Sequence, residues 1–253
     1  MHRLTKLPVA VKVVFKDPEE NVCLPDLPEV ALTNKLSSKY NIVRHIEHFE
    51  VGQFIYLVQA CMSQGDLRSF IKAHGYQYLT EQELRIHAKS MVHALRGIHK
   101  IGFLHNDVQP SSFLVHCQRD ARKNFTVKLG ALSHALPIND EPLDQDLNES
   151  QIEGLNGFYK APEVILSNGE DTSTASDVWS LGITLYVLAT GEFPFKNSPE
   201  VISNGGLNFS TKKYHVTLSN SFKNLIEGML QYESSSRMSL SQILEHEWVN
   251  QTD

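Results

Sequence analysis

The run Phe103-Leu104-His105-Asn106-Asp107-Val108-Gln109-Pro110-Ser111-Ser112-Phe113-Leu114 gathers side chains suited to chemistry. Asp107 supplies a carboxylate, a group that takes up a proton or binds a hard cation. Far upstream, Val9-Ala10-Val11-Lys12 places an ammonium at the end of an apolar run, and Glu29 follows 17 residues later. A lone lysine closing a strand is most often a solvated surface residue. An ammonium that must stay forward toward an anion needs a carboxylate beside it, and here both are present in that order.

These residues need elements to hold them. Leu7 to Phe15 is rich in β-branched residues and reads as a strand. Pro28 to Leu36 has helical spacing, with Val30, Leu32 and Leu36 apolar. Asn41 to Glu47 and Gln53 to Ala60 read as two more strands, turning at Glu50-Val51-Gly52. After a turn at Gln64 to Leu67, Thr80 caps a long helix reaching about Ile101. Glu83 completes a capping box, and the apolar stripe takes in Leu84, Ile86, Met91, Leu95 and Ile98. Phe113 to His116 and Asn124 to Leu129 are short strands around a basic loop, Gln118 to Lys123. An acidic, weakly hydrophobic segment follows from Asn139 to Glu153. Helices are expected over Ala175 to Ala189, Ser219 to Leu230 and Leu240 to His246. Strands early and helices late predict an α+β chain in two lobes, hinged near Ala60 to Gln64.

Composition narrows the function classes. The 253 residues are 41% hydrophobic and 21% charged, as in globular domains. A net charge of -6 gives no reason to expect a nucleic-acid partner. Cys23, Cys61 and Cys117 lack metal-ligand spacing and read as structural thiols in a reducing compartment. No stretch reaches the roughly 18 apolar residues of a membrane span, and no signal peptide opens the chain. A cytoplasmic location is expected, with the nucleus open and no membrane partner.

The run around Asp107 resembles the catalytic loop HRDLKPxNxL of protein kinases. Val9-Ala10-Val11-Lys12 and Glu29 resemble the lysine strand and the helix glutamate that pairs with it. Phe158-Tyr159-Lys160-Ala161-Pro162-Glu163 resembles the end of an activation segment. Asp177-Val178-Trp179-Ser180-Leu181-Gly182 resembles the helix that follows, and Gly191-Glu192-Phe193-Pro194-Phe195 its exit. The motifs keep kinase order from residue 7 to 249. The pattern closing at Trp248 is most similar to the calmodulin-dependent and microtubule-affinity-regulating kinase group. The resemblance implies a bilobal fold, with residues 1–62 a partial N-lobe and 63–253 a mainly helical C-lobe. It implies that Asp177 braces the catalytic loop and that Arg237 pairs with Glu163. Pro162, Trp179 and Trp248 read as packing residues.

The departures from the family pattern fall on charge and metal positions. Gly130-Ala131-Leu132-Ser133 stands where GDFG is usual, so Ala131 replaces a metal-binding Asp. Ser112 replaces the second metal ligand, Asn, and Gln109 replaces the lysine that steadies the γ-phosphate. Asn106 replaces the arginine that reads a phosphorylated segment, and Asn156 a threonine of that segment. A glycine-rich loop lies roughly 15 to 20 residues before the lysine in the family, whereas 11 residues precede Lys12. A reduced N-lobe sheet with an exposed edge beside the Lys12 strand is therefore expected.

The expected function is that of a pseudokinase, a catalytically impaired binding or regulatory module whose partners are proteins, an active kinase or its substrates among them. The alternative is an active serine/threonine kinase with an atypical metal site. Asp107 holds the base position and is expected to be idle. ATP is expected to bind weakly, with Mg²⁺ adding little. Lys12 and Glu29 would meet its phosphates, the backbone of Ala60 and Met62 its adenine edge, and Ala10 and Leu114 its ring faces. Gln59 falls at the gatekeeper position.

Overall fold

A computed structural model describes residues 8–16, 27, 29–30, 32, 40–117, 125–138, 157–195, 207–209, 211 and 214–251. The basic loop at 118–123, the acidic segment at 139–153, Cys23 and Asn156 lie outside them, as does most of the predicted helix from Pro28.

Among the described residues the N-terminal part forms a three-stranded antiparallel sheet in the order β1-β3-β2, from β1 (Val9–Phe15), β2 (His45–Val51) and β3 (Phe54–Ala60). Lys12 sits opposite Leu57 and Ala10 opposite Gln59. One face of this sheet buries Ile55 and Leu57 against Val30, with Val14 and Leu27 packed on them. Glu29, Val30 and Leu32 are helical, as expected.

The strand predicted over Asn41 to Glu47 is displaced. Strand β2 begins at His45 and continues through Glu50 and Val51, which the sequence places in a turn. The cause is a competing partner for the preceding residues. Val43 N–H donates to Leu129 C=O at 2.8 Å, and Leu129 N–H donates to Asn41 C=O at 2.7 Å. Ile42 and Val43 are buried there, so this segment joins the C-terminal part.

That part is mainly helical. Helix α1 (Leu67–Ala73) is capped by Asp66, whose side chain accepts from Ser69 N–H. Helix α2 (Glu81–Lys100) starts at Thr80 with the predicted capping box. Leu84, Met91, Leu95 and Ile98 are buried as expected, but Ile86 is 67% exposed. Ile86 lies two positions from Leu84, which turns it onto the opposite face of a helix. The short strands β4 (Phe103–Leu104), β5 (Phe113–Cys117), β6 (Phe125–Leu129) and β7 (Leu136–Pro137) pair as β4-β7 and β5-β6.

Helix α3 (Pro162–Leu166) leads to α4 (Thr174–Thr190), which is apolar on nearly all sides and runs through the core. Gly191, at φ +72°, closes α4 in the left-handed conformation that glycine adopts without penalty. Helices α5 (Asn220–Met229), α6 (Leu240–Glu245) and α7 (Glu247–Asn250) follow. Trp179 and Trp248 are fully buried, and Pro162 is buried with them.

Candidate functional site

The loop after β4 is held by one buried carboxylate. Asp177, on α4, accepts from His105 N–H at 2.8 Å and Asn106 N–H at 2.9 Å. Its Oδ2 also meets His99 Nε2, from the end of α2, at 2.8 Å. Burial alone would raise the Asp177 pKa. The hydrogen bond and charge of His99, with the His105 backbone N–H behind them, outweigh burial and hold it below the usual range. Asn106 takes φ +60°, a left-handed conformation that asparagine tolerates better than most residues.

His105 links this loop to the end of β6. Its Nε2 lies 3.2 Å from Gly130 C=O, and its Nδ1 accepts from Asp107 N–H at 3.3 Å. That pattern assigns the proton to Nε2 in a neutral ring. Burial, the leading cause, pushes the His105 pKa down and agrees with that tautomer.

Asp107 Oδ1 accepts from Gln109 Nε2 at 2.7 Å. Ser112 Oγ donates to the Asp107 carbonyl, and Gly130 N–H donates to Ser112 C=O at 2.8 Å. The fold thus brings Asp107, Gln109, Ser112 and the Gly130-Ala131 corner together. Ala131 is exposed, at φ +51°. Two further residues reach this loop: His134 carries no spacing signal in the sequence, and Lys160 belongs to the activation-segment motif without being marked there as a site residue. His134 Nδ1 lies 3.7 Å from Asp107 Oδ2, and Lys160 Nζ lies 3.5 Å from Asn106 C=O. Burial lowers the Lys160 pKa, against the opposing pull of Asp107 and Asp177.

In the N-terminal part, Lys12 Nζ is ion-paired with Glu29 Oε1. The Glu29 side chain is 5% exposed and that of Lys12 44%. Ala10 is exposed on β1, and Leu114 lies against Gly130, where an added Cβ would meet Leu114 Cδ1 at 3.1 Å. Ala60 N–H is bonded to Arg44 C=O at 2.8 Å, and Met62 C=O accepts from Gly65 N–H at 3.2 Å. Among the described residues no group of three or more His, Cys, Asp or Glu is placed to hold a metal ion. No described helix is long and apolar enough to cross a membrane.

Comparison with known proteins agrees with this arrangement. The protein kinase domain family model matches residues 1–249. Calcium-dependent protein kinase 19 of Arabidopsis thaliana is 29% identical over 88% of this chain and 39% of its own length. The probable serine/threonine-protein kinase MARK-A of Dictyostelium discoideum is 28% identical over 96% of this chain and 22% of its own. The chain therefore spans well under half the length of these two relatives. Among solved structures, the Rad53 kinase domain with SCD2 superposes with a TM-score of 0.75 at 26% identity, covering 100% of this chain and 83% of that one. The same pair in complex with AMPPNP gives 0.73 at 25% identity, covering 99% and 85%. On this evidence the chain belongs to the protein kinase domain family, with serine/threonine kinases as its relatives and a bilobal α+β fold.

Proposed function

We propose that this domain is a pseudokinase, a protein-binding or regulatory module in which phosphoryl transfer is disabled. The observation that carries the reading is the commitment of the groups around Asp107. A hard cation prefers carboxylate oxygens, and Ala131 brings only a methyl group to the corner beside Ser112. Ser112 Oγ is engaged with the Asp107 carbonyl, and the Gln109 amide with the Asp107 carboxylate. This donor set does not fit Mg²⁺. Phosphoryl transfer rests on positioning and electrostatics around the metal-bound phosphates. Losing one such element typically costs about 10²–10³ in rate, and several are missing here.

Weak, metal-independent ATP binding accompanies this reading. The Lys12–Glu29 pair holds an ammonium ready for phosphate. Ala60 and Met62 supply backbone groups to the adenine edge, and Ala10 and Leu114 apolar surface to its faces. A related kinase domain was solved with AMPPNP, which supports a nucleotide in this cleft. The partners would be proteins, an active kinase or its substrates, met in the cytoplasm.

The second reading is an active serine/threonine kinase. Asp107 and the intact Lys12–Glu29 pair favour it, since both groups would serve ATP-dependent transfer. Thermal shift with ATP, with and without Mg²⁺, and labelled phosphotransfer on the purified chain decide between the two. The pseudokinase reading expects a small shift indifferent to Mg²⁺ and no transfer. Transfer that disappears in Asp107→Asn would overturn it.

A further inference from the structure

The N-terminal sheet has two unlike faces. Val14, Ile55 and Leu57 point toward Val30 and Leu27. Strand alternation sends their neighbours to the other side. There Val11, Val13 and Phe15 of β1 stand 50%, 52% and 54% exposed, beside Phe54 of β3 at 42% and Phe49 and Val51 of β2 at 44% and 59%. The register makes this one surface: Phe15 sits opposite Phe54, Phe54 opposite Val51, and Phe49 and Val13 both opposite Tyr56.

The rings are already arranged. Phe15 and Phe54 meet edge to face with centroids 5.6 Å apart, and Phe49 stacks on Tyr56 at 5.1 Å. Side chains that hold one another lose less freedom when a partner covers them. Among the described residues, charge on this face is confined to a corner, at Glu47 opposite Val58, and Glu47 is partnered within the fold.

We propose that this face is a homodimer interface, packed face to face against the same face of a second copy of the chain. Six side chains about half exposed form a patch on the order of 500 Å², at the upper end of what monomers leave bare. Two such patches cover on the order of 1,000 Å², the lower bound for a specific interface. That area predicts a weak, concentration-dependent dimer. The choice of a second copy follows from the chemistry of the patch. Among the described residues its six apolar side chains offer no charge pattern to select a different partner. With Glu47 at a corner and partnered within the fold, the apolar area meets its own copy without like-charge repulsion at its centre. Two twisted sheets with apolar inner faces pack about 10 Å apart, which the Phe15, Phe54 and Phe49 rings can fill by interdigitation. The inference is independent of whether the domain transfers phosphate.

Sedimentation velocity of the full chain over a concentration series tests it. A monomer–dimer equilibrium with a dissociation constant of about 1–100 µM is expected. Val13→Glu and, separately, Val51→Lys should each weaken it at least tenfold, because each places a charge in the covered face. Both positions are more than half exposed, so the variants should keep the parent's circular dichroism and melting temperature. Leu166→Glu, at an exposed apolar residue of α3 remote in sequence, should leave the dimer intact. A chain that stays monomeric throughout overturns the proposal. So does a dimer that survives both Val13→Glu and Val51→Lys, or one that Leu166→Glu abolishes.

Discussion

Arg237 and Glu163, 74 residues apart, form a two-pronged ion pair, Nη1 to Oε1 at 2.6 Å and Nη2 to Oε2 at 2.7 Å. The guanidinium also donates to the carbonyls of Gln231, Tyr232 and Ala175, and it lies 4.9 Å above the Trp179 ring. One side chain thus ties α3, α4 and the turn after α5 together.

Removing one partner of such a pair costs more than the pair contributes, because the other charge is left without compensation. Arg237→Ala is expected to lower unfolding free energy by roughly 3–5 kcal/mol, read from urea denaturation. Glu163→Gln should cost less, since the guanidinium keeps three carbonyls and the Trp179 ring. Equal stability of Arg237→Ala and the parent would show that the pair contributes nothing.

His87 gives a pH dependence. It is 6% exposed, stacked on Phe125 with ring centroids 4.1 Å apart. Burial pushes its pKa down from 6.5 to about 4, against a smaller upward pull from Glu83. Between those values the unfolded chain binds a proton that the folded chain refuses. The stabilisation is therefore complete above pH 6.5 and is lost as pH falls toward 4. The loss should be roughly 3 kcal/mol, and His87→Phe should flatten the melting temperature over this window. An unchanged slope in that variant would assign the acid sensitivity elsewhere.

Ala131 carries backbone strain. A left-handed conformation costs a non-glycine residue about 1–2 kcal/mol, and Ala131 adopts φ +51°. Ala131→Gly should raise stability by up to about 1 kcal/mol in chemical denaturation, the gain being limited by the added freedom of the unfolded chain. Destabilisation would mean that the Ala131 methyl group makes contacts worth more than the strain.

Restoring charge tests the proposed reason for silence. Ala131→Asp, Ser112→Asn and Gln109→Lys together should make ATP-induced thermal stabilisation depend on Mg²⁺, and Lys12→Met added to them should reduce it. A restored chain whose thermal shift remains indifferent to Mg²⁺ would show that the metal site lacks more than its ligands.

The sequence by itself determined the longer elements, such as β1, α2 and α4, and the order of the motifs. Local rules suffice there: Thr80 and Glu83 cap α2 within one turn, Gly191 ends α4, and β-branched residues make β1. Motif order also carried the two long-range ion pairs, Lys12–Glu29 and Glu163–Arg237. Tertiary structure decided what local periodicity does not encode. Asn41 to Val43 left the N-terminal sheet because Leu129 offered them backbone partners. The Ile86 side chain faced solvent because the buried stripe of α2 runs along the other side. Gln109 and Ser112 became ligands of Asp107 itself, and His134 and Lys160 arrived beside that loop from distant segments. Each of these contacts depends on folded backbone geometry and on packing between separate segments, which residue spacing alone does not specify.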